Sequence, residues 1–346
     1  TYGKRGAFLG DHRFDPLRYG IPPATVEHIE PAQLLSLEMA RLALSDAGYD
    51  ERPFARERTS VIVACSGIHD VGIGYAVRSM LPHFLARAPE LDAAARERIV
   101  ESVRDTLPAW SEDAFPGFLP NVIAGRIANR LDLGGTNYTV DAACASALAA
   151  MDTATKELVA GTSDLVLCGG ADLHNGINDY LLFASVHALS PSGQCHTFDA
   201  DSDGITLGEG VAAVILKRLS DAERDGDRIY ALIRGIGSSS DGRNRSLTAP
   251  HPDSQTLAIA RAYRLTHKVN RKRHWPVLRA LFKGAGLGDL GESSDAKPVF
   301  DYGIEAAEPA HIFALVDLYR AHKNPEVLRF MEHLGRKLIA RRQDPH

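Results

Sequence analysis

The sequence predicts an α/β protein, and three observations carry that expectation. The β-branched run at residues 59–65 (TSVIVAC) reads as a buried strand of a parallel sheet. Residues 137–168 alternate strand (137–141), alanine-rich helix (145–160) and strand (164–168), a βαβ unit with short connections. Gly161 stops that helix, and Gly169 and Gly170 are read as the end of its second strand.

The other elements follow in order. Residues 30–47 read as a helix, because Pro31 suits a first helical position, strong helix formers fill the interior and Gly48 supplies the stop. Residues 76–107 hold a longer helical region that Pro82 and Pro89 should break, and 121–131 (NVIAGRIANRL) form a shorter amphipathic helix. A loop rich in Gly, Ser and Asp covers 189–210. Residues 211–217 and 228–236, joined by a charged turn (DAERDGD), then read as an antiparallel pair of strands.

Beyond about residue 263 the character changes. Residues 254–288 contain no acidic side chain, while Arg261, Arg264, Lys268, Arg271, Lys272, Arg273, Arg279 and Lys283 are all basic, as at a boundary or linker. After a Gly/Ser/Asp patch, residues 307–319 and 325–342 read as two helices of an αα-hairpin. The expected organisation is a main domain at 1–262, a basic then Gly/Ser-rich linker at 263–296, and an α-helical tail at 297–346.

Composition bounds the function. With 346 residues, 45% of them hydrophobic, the chain can bury a full core. Its 39 basic and 44 acidic residues sum to −5, which gives no global attraction to nucleic acid or an anionic membrane. No apolar run approaches the roughly 18 residues of a spanning helix, and residues 1–10 do not read as a signal peptide, so a soluble chain is expected. Cys65, Cys144, Cys168 and Cys195 lie far apart with no CxxC pair, which argues against a disulfide framework or a structural metal and fits a reducing cytoplasm. No resident cofactor and no metal are expected.

Cys144, in VDAACASAL (140–148), is the leading candidate for chemistry. It falls where a buried strand turns into a helix, so its thiol meets backbone N–H groups and the positive end of a helix dipole. Those groups favour a thiolate and would stabilise an oxyanion on a thioester under attack. The same residues also suit a small buried cysteine opening an alanine-rich helix. Cys65 and Cys168, at strand ends, read as core, and Cys195 has no base at motif spacing. The stretch RGIGSSSDG (234–242) has its third glycine misplaced for a dinucleotide site. Trp275 and Phe282 within the basic stretch read as linker or surface before RNA binding. Loop histidines 174, 187, 196 and 251 are possible partners for Cys144 or plain surface residues.

At Cys144 the residues meet a family. The segments NYTVDAACASALAA (137–150), LSPSGQCHTFDADSDGITLGEG (189–210) and VAAVILKRLSDAERDGDRIYALIRG (211–235) closely resemble β-ketoacyl synthase domains of polyketide and fatty-acid synthases. Residues 14–49 look most like the synthases of large iterative systems, including those that make polyunsaturated fatty acids. The resemblance implies a thiolase-like layered fold, a mixed sheet with helices on both faces, of which this chain holds mainly the first half. It implies that Cys144 accepts an acyl group from acyl carrier protein, where substrates ride on phosphopantetheine, for decarboxylative condensation with a malonyl thioester. A complete fold of this kind is expected as a homodimer, with no nucleic-acid or membrane partner.

The family's later His-Gly-Thr-Gly-Thr and Asn-Ile-Gly-His motifs are not found after residues 254–263, and His267, His274, His311, His322 and His333 stand in neither context. Ala147 also replaces a serine common after the nucleophile. The resemblance therefore leaves two readings, a condensing acyltransferase and a non-catalytic remnant serving as an interaction or dimer module. The tail at 297–342 faintly resembles a helical hairpin of α/α-barrel polysaccharide lyases or glycoside hydrolases, which makes a carbohydrate-active protein a third reading.

Overall fold

β1 (Thr59–Ala64) is buried along its whole length, and its side chains feed two cores in alternation. Val61 and Val63 point to one face, where α1 (Pro31–Asp46) and α5 (Val122–Arg130) supply Leu34, Leu37, Ile123 and Ile127. Ile62 and Ala64 point to the other, against Ala150, Ala154 and Leu158 of α6 (Ser146–Ala160). A continuous apolar run is what a strand covered on both faces requires, and helices on both faces of the sheet follow from it. The computed structural model describes residues 1–67, 70–107, 109–173, 175–197, 199–243, 251–265 and 312–317.

The sheet is mixed, in the order β2-β1-β3-β4. β2 (Asn137–Val140) and β3 (Leu165–Asp172) run parallel to β1, and β4 (Gly210–Lys217) runs antiparallel to β3 from Leu165↔Lys217 to Asp172↔Gly210. Here the structure corrects two expectations. β3 does not end at Gly169: both glycines continue the strand, because a Cβ on Gly169 would stand 2.9 Å from the Ala212 carbonyl oxygen of β4. Those glycines permit close approach of strands. Second, residues 211–217 do not pair with the strand that follows them. The charged turn is α8 (Leu219–Arg224), and the partner of β4 is β3.

Between β1 and β2 lie α2 (Asp70–Leu85), α3 (Ala93–Arg104) and α4 (Ala114–Phe118). Pro82 does not break α2, which carries it in its last turn at an exposed position. The break comes after Leu85, and α3 restarts where the Asp92 side chain accepts the Ala95 N–H at 2.6 Å. α7 (Ile177–Ser185), which the sequence did not announce, follows β3.

The chain divides into two compact units, one of residues 1–185 and 206–227, the other of 186–205 and 228–346. In the second unit β5 (Leu232–Ser238) pairs antiparallel with β6 (Ile312–Asp317), and α9 (Pro252–Leu265) packs on β5. A Cβ on Gly237 would lie 2.1 Å from the Ala258 carbonyl oxygen, so that helix and strand touch backbone to backbone. β6 falls inside 307–319, where a helix was expected; IFALV suits a short buried strand as well as a helix turn, and pairing with β5 selects the strand. The rest of the expected linker and tail, 266–311 and 318–346, lies outside the described residues.

In the first unit, an ionic network closes the end of the sheet where β1 and β3 begin. Asp164 accepts from Arg58 and Arg218, while Lys217 reaches Asp225 and Asp227, and Arg52 reaches Asp227. A cavity of about 500 Å3 lies among Tyr49, Arg52, Phe54, Asp164, Lys217 and Arg218. Hydrogen bonds from the arginines hold the Asp164 carboxyl down at about 2, and those from Arg224 and Lys217 hold Asp225 at about 2. A depressed carboxylate stabilises the fold above its ordinary value near 4 and loses that contribution as pH falls through the folded value. Thermal melts should therefore show stability falling between about pH 4 and pH 2. Asp164→Asn should lower Tm at neutral pH, and its difference from the unsubstituted protein should shrink toward zero at about pH 2.

Candidate active site

Cys144 follows the carboxyl end of β2, on the side of the sheet where open α/β folds place their sites. Register sets this end apart from the ionic network: Ala64 pairs with Val140 and Gly170 here, whereas Thr59 pairs with Leu165 at the other end. Between Val140 and the first residue of α6 the chain reverses within five residues. The reversal is possible because Ala143 takes φ of 49°, a left-handed conformation that costs an alanine about 1–2 kcal/mol.

Side chains on either side hold that conformation. Asp141 accepts the Ala143 N–H at 3.0 Å. The buried Ser146 hydroxyl accepts the Ala142 N–H at 2.8 Å and donates to the Ala143 carbonyl at 2.5 Å. The Ser146 N–H donates to the same carbonyl at 3.0 Å, and the Ala145 N–H to Ala142 at 3.1 Å. Cys144 sits inside this clamp, exposed, two residues before α6 begins. The positive end of the helix dipole therefore adjoins the thiol, an arrangement that favours an anion there.

Gly170 of β3 lies under the first turn of α6. A Cβ there would meet Ala147 at 3.7 Å and Ala64 at 3.6 Å, ordinary van der Waals contact. The small residue at 147 thus packs toward the sheet.

The four thiols separate by environment. Cys65 and Cys168 are buried, as expected of core residues. Burial pushes the Cys65 thiol up to about 11, with the charges of Asp172, Asp141 and Glu30 adding to it, and burial alone pushes Cys168 up to about 12. Both stay protonated at physiological pH. Cys195 is exposed and, with His187, His196 and His251, belongs to the second unit; His174 lies outside the described residues.

Asp141 and Ser146 were not singled out in the sequence. Asp two residues before a turn position is a known turn signal, but nothing in an alanine announces positive φ. Ser146→Ala would leave the Ala142 N–H without its acceptor, an expected cost of about 1–3 kcal/mol. It should also slow alkylation of Cys144, with Ser146→Thr restoring both; melting curves and iodoacetamide kinetics measure the two effects.

Among the described residues no group of three His, Cys, Asp or Glu side chains is placed to hold a metal ion, and no helix is long and apolar enough to cross a membrane.

The comparisons with known proteins fit this geometry. The family model for the β-ketoacyl synthase N-terminal domain matches residues 1–222, more than half of the chain. A second model, for periplasmic pectate lyase, matches residues 242–345, a stretch of which only 242–243, 251–265 and 312–317 are described. A polyunsaturated fatty acid synthase polypeptide of Thraustochytrium sp. is 34% identical over 310 residues, 87% of this chain and 11% of that protein. Polyketide synthase PksN of Bacillus subtilis is 34% identical over 87% of this chain and 5% of its own length. A solved ketosynthase from module 6 of the bacillaene synthase of Bacillus subtilis superposes with a TM-score of 0.58 at 30% identity, covering 72% of this chain and 38% of that one. The oxazolomycin ketosynthase domain OzmH KS7 of Streptomyces albus gives 0.59 at 27% identity, over 75% and 40%. The chain thus spans about a tenth or less of these curated relatives and under half of the solved domains.

Proposed function

The chain belongs to the β-ketoacyl synthase family, and from that premise we propose that Cys144 is the acyl acceptor of a decarboxylative condensation. The exposed thiol on the turn clamped at Ala143 is the observation that carries the reading. The thiolate attacks the carbonyl of an acyl thioester, a C–S bond forms to Cys144, and the carrier thiol leaves with a proton. In the second half-reaction a malonyl thioester loses carbon dioxide, and its carbanion attacks the acyl-enzyme. The Cys144–acyl bond breaks, and a 3-ketoacyl thioester departs.

The helix-dipole end and the turn amides favour negative charge at the thiol and on the oxyanion of the first attack. The substrates are acyl and malonyl thioesters delivered on the phosphopantetheine arm of an acyl carrier protein, and a second copy of the chain is the expected partner. These assignments come from the family and from the position of Cys144.

Acylation is tested by incubating the protein with an acyl thioester and reading the intact mass. One acyl adduct on the peptide that contains Cys144 is expected. An adduct on Cys195 in its place, or none under conditions where iodoacetamide labels Cys144, overturns the assignment.

A further inference from the structure

Two side chains hold the turn that carries Cys144, and they differ in charge. Ser146 is neutral and buried, whereas Asp141 is an exposed carboxylate three residues before the thiol. Its Oδ1 accepts the Ala143 N–H at 3.0 Å, a bond from residue i to i+2 of the kind aspartate favours in turns. That bond fixes the residue next to Cys144, so the carboxylate lies no more than about 11 Å from the thiol sulfur. Unit charges at that range still interact near a protein surface.

The elements that begin or end on this side carry other acids. Glu30 precedes α1, Asp70 opens α2, Asp172 closes β3 and Glu209 precedes β4. Glu30 is buried and accepts the Gly72 N–H at 3.0 Å, while the first turn of α6 has no charged residue. The field reaches Cys65 at the end of β1, whose thiol is raised by burial first and then by the charges of Asp172, Asp141 and Glu30. Of these acids, Asp141 is the one that stands on the turn itself.

We infer that Asp141 is a positioning residue with two opposed effects on Cys144. It holds the turn that sets the thiol beside the positive end of α6, which favours the thiolate, and its own charge opposes that ionisation. The charge thus lowers the thiolate fraction and raises the basicity, and with it the nucleophilic strength, of the thiolate that forms. This rests on the reading of Cys144 as the acyl acceptor; alkylation needs no acyl group and so separates the two.

Iodoacetamide labelling of Cys144 in the full chain, followed by peptide mass spectrometry from about pH 6 to pH 10, gives the midpoint of thiol ionisation for each variant. Asp141→Asn keeps an acceptor for the Ala143 N–H and removes the charge. Its midpoint should fall by about 0.3–1 pH unit, roughly a twofold to tenfold gain in thiolate below the midpoint. Salt at about 1 M should remove most of that difference, because screening then acts within about 3 Å. Asp141→Ala loses the acceptor as well, so its midpoint should lie at least about 0.5 unit above that of Asp141→Asn, with about threefold less thiolate. An unshifted or raised midpoint in Asp141→Asn, or a shift that persists in full at high salt, overturns the effect of charge. Equal midpoints in Asp141→Asn and Asp141→Ala overturn the positioning. If both shifts appear but an acyl thioester leaves no adduct on Cys144, the acyl-acceptor reading fails and the role of Asp141 stands.

Discussion

Cys144→Ala is expected to abolish acyl-enzyme formation while leaving the fold intact. The side chain is exposed, and substitutions of such side chains usually change stability by no more than about 0.5 kcal/mol. The loss should be close to complete, because the other thiols cannot stand in. At about 11, Cys65 holds roughly one thiolate in a thousand at pH 8, and Cys168, at about 12, holds fewer. Cys195 is the exposed control: Cys195→Ala should acylate at an unchanged rate, and Cys144→Ala should fall to background. The rate of adduct formation by intact mass, beside a melting curve for each variant, separates loss of the nucleophile from loss of the fold. Retained acylation in Cys144→Ala would remove the proposed mechanism.

Ile62→Ala should be the most damaging single change to the frame that holds this site. Ile62 has no exposed surface, and it fills the space between the sheet and α6 with Val166, Cys168, Ala150, Ala154 and Leu158. Truncations of this kind cost about 2–5 kcal/mol, more where the surroundings cannot close on the cavity. Two of the three buried α6 residues in this cluster are alanines, which cannot extend into the gap. α6 as a whole would have to move inward, and its first turn is tied through Ser146 to Ala142 and Ala143. The upper half of the range is therefore expected, read by denaturant unfolding. Any inward shift of α6 should also lower the alkylation rate of Cys144. A cost below about 1 kcal/mol would mean that the small core is looser than its burial indicates.

The helices α1 and α6 were legible because their punctuation is local, Pro31 at the start of α1 and Gly48 and Gly161 after the ends, and α5 because its apolar residues recur at helical spacing. The buried β1 was legible from its β-branched run. What could not be read depended on residues distant in sequence. Whether Gly169 and Gly170 stop a strand or continue it is decided by β4, some forty residues on. The IFALV run becomes a strand because β5 is there to pair with it. At the site, the position of Cys144 between strand and helix was visible. The clamp was not, since it consists of an alanine in a conformation alanine rarely adopts and a serine that closes the turn from inside the helix.

The route of the chain through its two units has a consequence for inheritance. The polypeptide leaves the first unit after Ser185, returns at Thr206 and leaves again after Asp227. A recombination breakpoint inside 186–227 would thus divide both units between two parents, whereas one elsewhere divides at most one. Breakpoints outside that interval transfer the middle passage whole. Residues 186–227 are therefore expected to pass as one block through such exchanges.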